Sequence, residues 1–450
     1  MNHILTIILF ALRFAAAISL VVFALYWRSP ILASIRAPAL AAFIVTAVAF
    51  IAFEIWWLLR KRNPRLIAIS SFAVLLTACG GLALTLFHEA QFHWQRHQVL
   101  RADAASIERL GRHLVVGYRD LRELRDLVER RAIAGVFVTA HNVQGKDAGT
   151  IRSEIASLQD IRKTQGLPPL LISTDQEGGL VSRMSPPLPR QQSPGDIVRQ
   201  YKDETERRRA IQTFATDQGR ALAALGFNLN FAPVVDINHN IVNEDDHYTR
   251  IFQRAISDDP HVVTAVAGDY CTALMQTGVH CTLKHFPGLG RVVEDTHLND
   301  ADLTAPIETL AASDWVPFRA LMHHAGAVTM LGHARLTALD KTTPASFSKA
   351  VVSDLLRGEW NHDGVLITDD FNMSPAYASP GGIGGAAVTA LNAGVDLILI
   401  SYDGDQFYPT MHALLRADAA GLLRREQLAR SDRRLGRMMS MSSATAKGGR

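Results

Sequence analysis

Three long apolar runs crowd into the first 87 residues, and they constrain this chain more than any feature after them. They fall at about 4–27, 40–59 and 66–87. Each reaches roughly 20 residues, the length a helix needs to cross a ~30 Å hydrocarbon core. Three in succession leave no polar face for packing as buried core helices. Residues 1–87 therefore read as a membrane region of about three transmembrane helices. A cleaved signal peptide has one shorter apolar stretch, without two more behind it. Arg13 interrupts the first run and Glu54 the second. Each either snorkels to the interface or faces a neighbouring helix.

Orientation follows from Lys and Arg in the short connections. Arg60, Lys61, Arg62 and Arg65 crowd the second, whereas Arg28 and Arg36 flank the first. The second connection reads as cytoplasmic, so everything after residue 88 reads as extracytoplasmic. A second reading takes Leu76-Thr77-Ala78-Cys79-Gly80 as a lipoprotein cleavage box, with a later translation start. Both readings anchor a periplasmic or extracytoplasmic body to the bacterial cytoplasmic membrane. Residues 88–107 are polar and helix-compatible, and read as a solvated linker. His93 and His97 share a helix face there, too few to make a metal site.

Overall charge excludes another class. The chain carries 46 basic and 43 acidic residues, a net +3, which is no nucleic-acid footprint. At 48% hydrophobic and 20% charged, it is not a disordered chain either. Cys79, Cys271 and Cys281 are too few for a disulfide framework, and the last two read as buried small hydrophobes.

Beyond the linker, short apolar runs recur at 114–117, 135–139, 170–173, 229–232, 281–285, 327–332, 364–368 and 397–401. Runs of this kind, separated by helix-length segments, signal parallel strands buried on both faces. Eight such units make a single TIM (β/α)8 barrel over 108–440, with a small polar tail at 441–450 expected to be disordered. The open doubly wound alternative lacks its nucleotide fingerprint: Gly288-Leu289-Gly290 has no third glycine, and the glycines at 381–385 have no P-loop lysine. Both clusters read as loop hinges.

A barrel of this type keeps its chemistry at the C-terminal ends of its strands. Ionisable groups stand there repeatedly: Asp175 and Glu177, Asp236, Lys284 and His285, His333, and Asp369 with Asp370. No His-Glu-x-x-His metal spacing and no Gly-x-Ser-x-Gly elbow occurs. Carboxylates, a histidine and hydroxyl-binding side chains remain, which is the inventory for cleaving glycosidic bonds. Neither a metal nor a cofactor is implied.

Lys284-His285-Phe286-Pro287-Gly288-Leu289-Gly290, followed by Asp295-Thr296-His297, resembles the signature of glycoside hydrolase family 3 β-N-acetylglucosaminidases. The resemblance spans about 108–435. It includes Asp175-Gln176-Glu177-Gly178-Gly179, Asn230-Phe231-Ala232-Pro233-Val234-Val235-Asp236, Pro344-Ala345-Ser346-Phe347-Ser348 and Gly364-Val365-Leu366-Ile367-Thr368-Asp369-Asp370. It implies Asp369 as nucleophile and His297 as general acid/base, held by Asp295 on a mobile loop. It implies Asp175, Arg183, Arg254, Lys284 and His285 as sugar-binding residues, with Arg250 competing for the place of Arg254. Asp370 and Asp236 read as supporting residues, and His333 as either a packed rim histidine or a functional one. A histidine suits the acid/base role because it titrates near neutrality without special tuning.

Three features of the barrel depart from the family pattern, and the membrane segments are a larger departure. Leu289 stands where a second histidine is common, and Leu180 where an arginine is common. The stretch 239–250 is longer and more acidic than usual. The resemblance implies a retaining enzyme that removes terminal β-linked N-acetylglucosamine from peptidoglycan-type or chitin-type fragments. A β-glucosidase, an N-acetylglucosaminide phosphorylase, and a degenerate sugar-binding membrane protein are the competing expectations. The partners expected are an amino-sugar glycoside and the membrane, without nucleic acid.

Overall fold

The computed structural model describes residues 3–60, 65–324 and 326–448. Two compact units divide the chain, with the boundary between Arg101 and Ala102. In the first unit, helices α1 (His3–Tyr26), α2 (Arg36–Arg60) and α3 (Arg65–Arg101) are each long and apolar enough to cross a membrane. Ala17, Leu20, Phe43, Ala47, Val74 and Ala78 form their buried seam. The small residues among them let the helices approach closely. Leu12, Val45, Ile69 and Phe72 stay exposed, as an apolar surface turned to lipid requires.

The two charges inside the apolar runs meet each other. Arg13 salt-bridges Glu54, which is fully buried, and also donates to Ser71 Oγ at 2.9 Å. A buried ionised group is tolerated there only when paired. Trp27 Nε1 and Arg28 both donate to Glu89, the latter at 2.7 Å, which ties the end of α1 to α3. Helix α3 runs without a break through Cys79 and on to Arg101, so the polar stretch after residue 87 extends the third helix. Lys61 and Arg62, half of the charge cluster behind the orientation argument, lie outside the described residues.

The second unit is a TIM barrel. Its strands are β1 (Leu114–Gly117), β2 (Gly135–Phe137), β3 (Leu171–Thr174), β4 (Leu229–Asn230), β5 (Thr282–Phe286), β6 (Val328–Leu331), β7 (Val365–Asp370) and β8 (Leu397–Ile400). All eight coincide with the apolar runs. Successive strands pair in parallel from β1 to β4 and from β5 to β8, and β1 pairs with β8. Parallel bridges from Leu229 to His280 and from Val234 to Lys284 bring β4 against β5 and nearly close the ring.

Val115, Phe137, Leu171, Leu229, Val328, Val365 and Leu397, each from a different strand, pack as one buried cluster. The last helix, Arg425–Gly448, lays Met438 against that cluster. This helix passes residue 441, where a small polar composition predicted disorder. Ala444, Ala446 and Lys447 are good helix formers, and they continue it to Gly448. The final two residues lie outside the described residues.

The cysteines correct an expectation. Cys271 and Cys281 are buried, as expected, but they form a disulfide. Cys271 sits on the helix Pro260–Met275, and Cys281 directly precedes β5. The tight return from helix to strand brings their Cα atoms to 5.4 Å, inside the bridging range. Two cysteines ten residues apart carry no signal of that return in the sequence.

Candidate active site

Strand irregularity marks the two strands richest in ionisable groups. The register of β7 against β8 shifts between Ile367 and Asp370, and that of β5 against β6 shifts between Leu283 and Phe286. Such bulges re-aim side chains at barrel rims. Asp369 and the Lys284-His285 pair fall within these stretches.

Asp369 accepts a hydrogen bond from the Asp370 N–H at 2.8 Å. Burial pushes its carboxyl upward, but the neighbouring His285, His333 and His297 imidazoles outweigh that and hold it below the ordinary value. Asp369 is therefore a carboxylate at neutral pH. Asp370 turns away and does different work. Its carboxylate accepts from Ser401 Oγ at 2.5 Å, Ser401 N at 2.8 Å, Tyr402 N at 3.1 Å, and Asn372 N and Nδ2 at 3.0 Å each. It fastens the end of β7 to the segment after β8, and burial raises its pKa. His333 is buried between Ser346 Oγ at 2.7 Å and the Asp370 carbonyl at 3.0 Å. This gives Ser346, in the Pro-Ala-Ser-Phe-Ser motif, a defined task. His333 holds the backbone beside Asp369, and burial lowers its pKa.

His297 and Asp295 form a pair. The His297 Nδ1–H donates to Asp295 Oδ1 at 3.1 Å, and the His297 N–H donates to the same oxygen at 3.0 Å. That tautomer leaves Nε2 as the ring nitrogen outside the pair. Asp295 is 1% exposed and collects further donors: His247 N and Tyr248 N at 3.1 Å each, and Thr249 Oγ1 at 3.1 Å. Burial opposes its ionisation, but the hydrogen bonds and charge of His297 and the Tyr248 N–H bring its pKa down to about 2. The loop bearing His297 is thus pinned to the segment after β4. The His297 carbonyl also accepts from Ser374 N at 3.0 Å.

A third group gathers around Glu177. Arg254 donates to both its carboxylate oxygens, at 3.0 and 2.7 Å, and Lys284 Nζ lies 2.7 Å from Oε1. Lys284 also donates to Asp175 Oδ1 at 2.8 Å. Burial disfavours the charges of Glu177 and Lys284, yet Arg254 and Lys284 hold Glu177 at about 2, and Asp175 with Glu177 raises Lys284. Below this cluster, Asn230 Oδ1 accepts from Gln176 N, and Asn230 Nδ2 donates to Gln176 O and Tyr270 Oη. The Asp175–Glu177 turn therefore rests on a satisfied buried network. Gly178, at φ 92°, has no room for a side chain: a Cβ would lie 2.5 Å from Gln192 O.

His285 Nδ1 donates to Asp236 Oδ2 at 2.7 Å, while Leu289 N donates to Asp236 Oδ1 at 2.7 Å. Asp236 so fixes His285 and the following turn together. The His285 Nε2 faces Arg254 Nη2 at 3.5 Å. Gly290 seats that turn against the Ile237 carbonyl, where a Cβ would lie 1.8 Å from the oxygen. It is a close-packing residue rather than the hinge expected.

The structure thus brings Asp175, Arg254, Lys284 and His285 into one hydrogen-bonded set. Arg183 is exposed at its edge, its N–H donating to Asp175 O at 3.0 Å. Arg250 is not in the set: its side-chain Nε donates to the Asp246 carbonyl at 3.4 Å. Thr249 is the residue that sequence reasoning passed over, and Glu177 was read as a strand-end acid without a role. Glu177 lay inside a quoted motif, but nothing in one strand-end pattern says which of two acids turns inward. Thr249 lay in the stretch already noted as unusual.

Known proteins share this sequence pattern and this fold. The profile described as "Glycosyl hydrolase family 3 N terminal domain" matches residues 106–438. The beta-hexosaminidase LpqI of Mycobacterium tuberculosis is 34% identical over 297 residues, covering 65% of this chain and 72% of LpqI. A beta-hexosaminidase of Xanthomonas euvesicatoria is 32% identical over 279 residues, covering 62% of this chain and 79% of its own. The solved family 3 beta-N-acetylglucosaminidase of Paenibacillus sp. superposes with a TM-score of 0.67 at 30% identity, covering 76% of this chain and 62% of that one. The structure of M. tuberculosis LpqI superposes at 0.64 with 31% identity, covering 75% and 96%. With its whole barrel matched and its barrel rim built as described, the chain belongs to glycoside hydrolase family 3.

Proposed function

We propose that this glycoside hydrolase is a retaining β-N-acetylhexosaminidase acting on peptidoglycan-type or chitin-type fragments. Asp369 attacks the anomeric carbon as His297 Nε2–H protonates the departing oxygen. The glycosidic C–O bond breaks and an ester to Asp369 forms. Water then attacks the same carbon, giving its proton to His297 Nε2 and releasing Asp369. Asp175, Lys284, Arg254 and His285 bind the sugar hydroxyls, with Arg183 at the open edge. The observation that carries this reading is the Asp295–His297 pair in one rim with an ionised Asp369. The beta-hexosaminidase names of the relatives agree with it.

The same reading puts the barrel outside the cytoplasm of a bacterium, anchored in the cytoplasmic membrane by α1–α3. The charge bias of the connections supports this, and so does the Cys271–Cys281 disulfide, because such bonds persist in oxidising compartments. The deciding experiment offers the detergent-solubilised full chain a chromogenic β-N-acetylglucosaminide and the matching β-glucoside, each with and without inorganic phosphate. Turnover of the first to free sugar is the expected result. Preference for the glucoside would overturn the substrate assignment, a sugar 1-phosphate product would overturn hydrolysis, and no turnover of either would overturn both.

A further inference from the structure

The acid/base pair accounts for His297 Nε2 but not for what lies beside it. The segment after β4 is the stretch that is long and acidic for this family, and it converges on the pair. His247 N and Tyr248 N both bind Asp295 Oδ2, and Thr249 Oγ1 binds Asp295 Oδ1. Thr249 N and Arg250 N bind Asp246 at 2.9 and 2.7 Å. Asn243 Nδ2 donates to the Val293 carbonyl at 2.9 Å, joining the two loops a second time. The backbone around Tyr248 is therefore anchored on both sides. Its side chain is not buried by this: the residue is 58% exposed, with its ring centroid 5.5 Å from that of His297.

An exposed aromatic ring on an anchored backbone offers apolar surface for another group to cover. Its position says what would. The group protonated by His297 is the oxygen of the departing sugar, so that sugar sits against the imidazole on its solvent side. Tyr248 is the exposed ring beside that imidazole. The other exposed aromatic following a barrel strand, Tyr402, already lies under the Arg119 guanidinium at 5.4 Å. We infer that Tyr248 is the stacking platform for the leaving-group sugar. The unusual 243–250 segment thus forms a subsite for a neutral pyranose ring on the reducing side of the scissile bond. This inference rests on the glycosidase reading and sharpens it: the natural substrate has a carbohydrate aglycone, not a small alkyl or phosphate one.

The test compares two substrates of the full-length protein. One is a β-1,4-linked disaccharide of N-acetylglucosamine, whose leaving group is a ring. The other is the N-acetylglucosaminyl β-fluoride, whose leaving group has no ring to stack. Tyr248→Ala is expected to lower the disaccharide-to-fluoride ratio of kcat/KM by about tenfold, through a raised KM for the disaccharide. Tyr248→Phe, which keeps the ring, is expected to restore the ratio. The pH profile of kcat/KM should stay in place, because Tyr248 reaches Asp295 only through its backbone. An unchanged ratio in Tyr248→Ala, or a displaced pH profile, would overturn the inference: the first means nothing stacks there, the second that Tyr248 acts through His297. Wild-type protein that cleaves neither substrate would instead sink the glycosidase reading itself, and the platform with it.

Discussion

Asp369 and Asp370 are neighbours in the chain with opposite surroundings. Asp370 is enclosed by donors from Ser401, Tyr402 and Asn372, whereas the Asp369 carboxylate has one backbone N–H and three nearby imidazoles. A carboxylate already saturated with donors makes a poor nucleophile, so the roles separate by hydrogen bonding alone. Asp369→Ala is expected to abolish turnover. Asp370→Ala is expected to cost about 1–3 kcal/mol of stability, read by thermal unfolding, because it orphans buried donors. A slow fluorosugar followed by peptide mass mapping should find one adduct, on Asp369; an adduct on Asp370 would reverse the assignment. His297→Ala should leave an enzyme slowed about 10²–10⁴-fold on sugar leaving groups and far less on a good phenolate, which departs without a proton. Equal losses on both would remove His297 from the acid role.

At the scale of elements, the strand-end charges form a structural unit. Glu177 comes from a short hairpin after β3, Arg254 from the segment after β4 and Lys284 from β5. Removing Glu177 leaves the buried Arg254 guanidinium without its carboxylate and Lys284 with Asp175 alone, a change worth about 3–5 kcal/mol in comparable pairs. Glu177→Ala should therefore lower the melting temperature before it reveals anything about sugar binding. The pH dependence has a definite sign. Glu177 is depressed from 4.5 to about 2 and Asp295 from 3.8 to about 2. Their stabilisation is complete above the ordinary carboxylate range and is lost as pH falls through it toward 2. Acid melting curves of wild type should drop steeply there; a curve flat from pH 5 to 2 would contradict the pairing. The eight strands were legible because short apolar stretches recur between helix-length segments, as strands buried on both faces require, even where β5 carries Lys284 and His285 and β7 ends in two aspartates. Asp369, His297 and Asp295 were legible only through ordered motifs at fixed spacing. Three things left no trace. The register shifts in β5 and β7 are backbone events between ordinary residues. Glu177 turns inward because Arg254, 77 positions away, meets it there. Thr249 matters through Asp295, and no local periodicity links them.

For the whole molecule, the disulfide and the membrane helices make one joint claim that the loops alone carry weakly. The orientation argument leans on Arg60, Lys61, Arg62 and Arg65 against Arg28 and Arg36, a modest bias. The Cys271–Cys281 bond adds an independent chemical constraint, because a reducing cytosol keeps thiols open. If the barrel faces outward, protein extracted from membranes under alkylation should carry one label, on Cys79, before reduction and three after it. Alkaline phosphatase fused after residue 101 should be active, and a cytoplasmic reporter at the same site silent. The bond also closes α-helix onto strand just ahead of Lys284 and His285, so breaking it loosens the base of that hydrogen-bonded set. Replacing both cysteines with alanine should cost about 2–4 kcal/mol. Three labels without reduction, together with an active cytoplasmic reporter, would turn the barrel inward and overturn the extracytoplasmic assignment at once. A labelled Cys79 alone with a silent phosphatase would place a disulfide in a reducing compartment, where such bonds are rare, so the two measurements check each other as well as the topology.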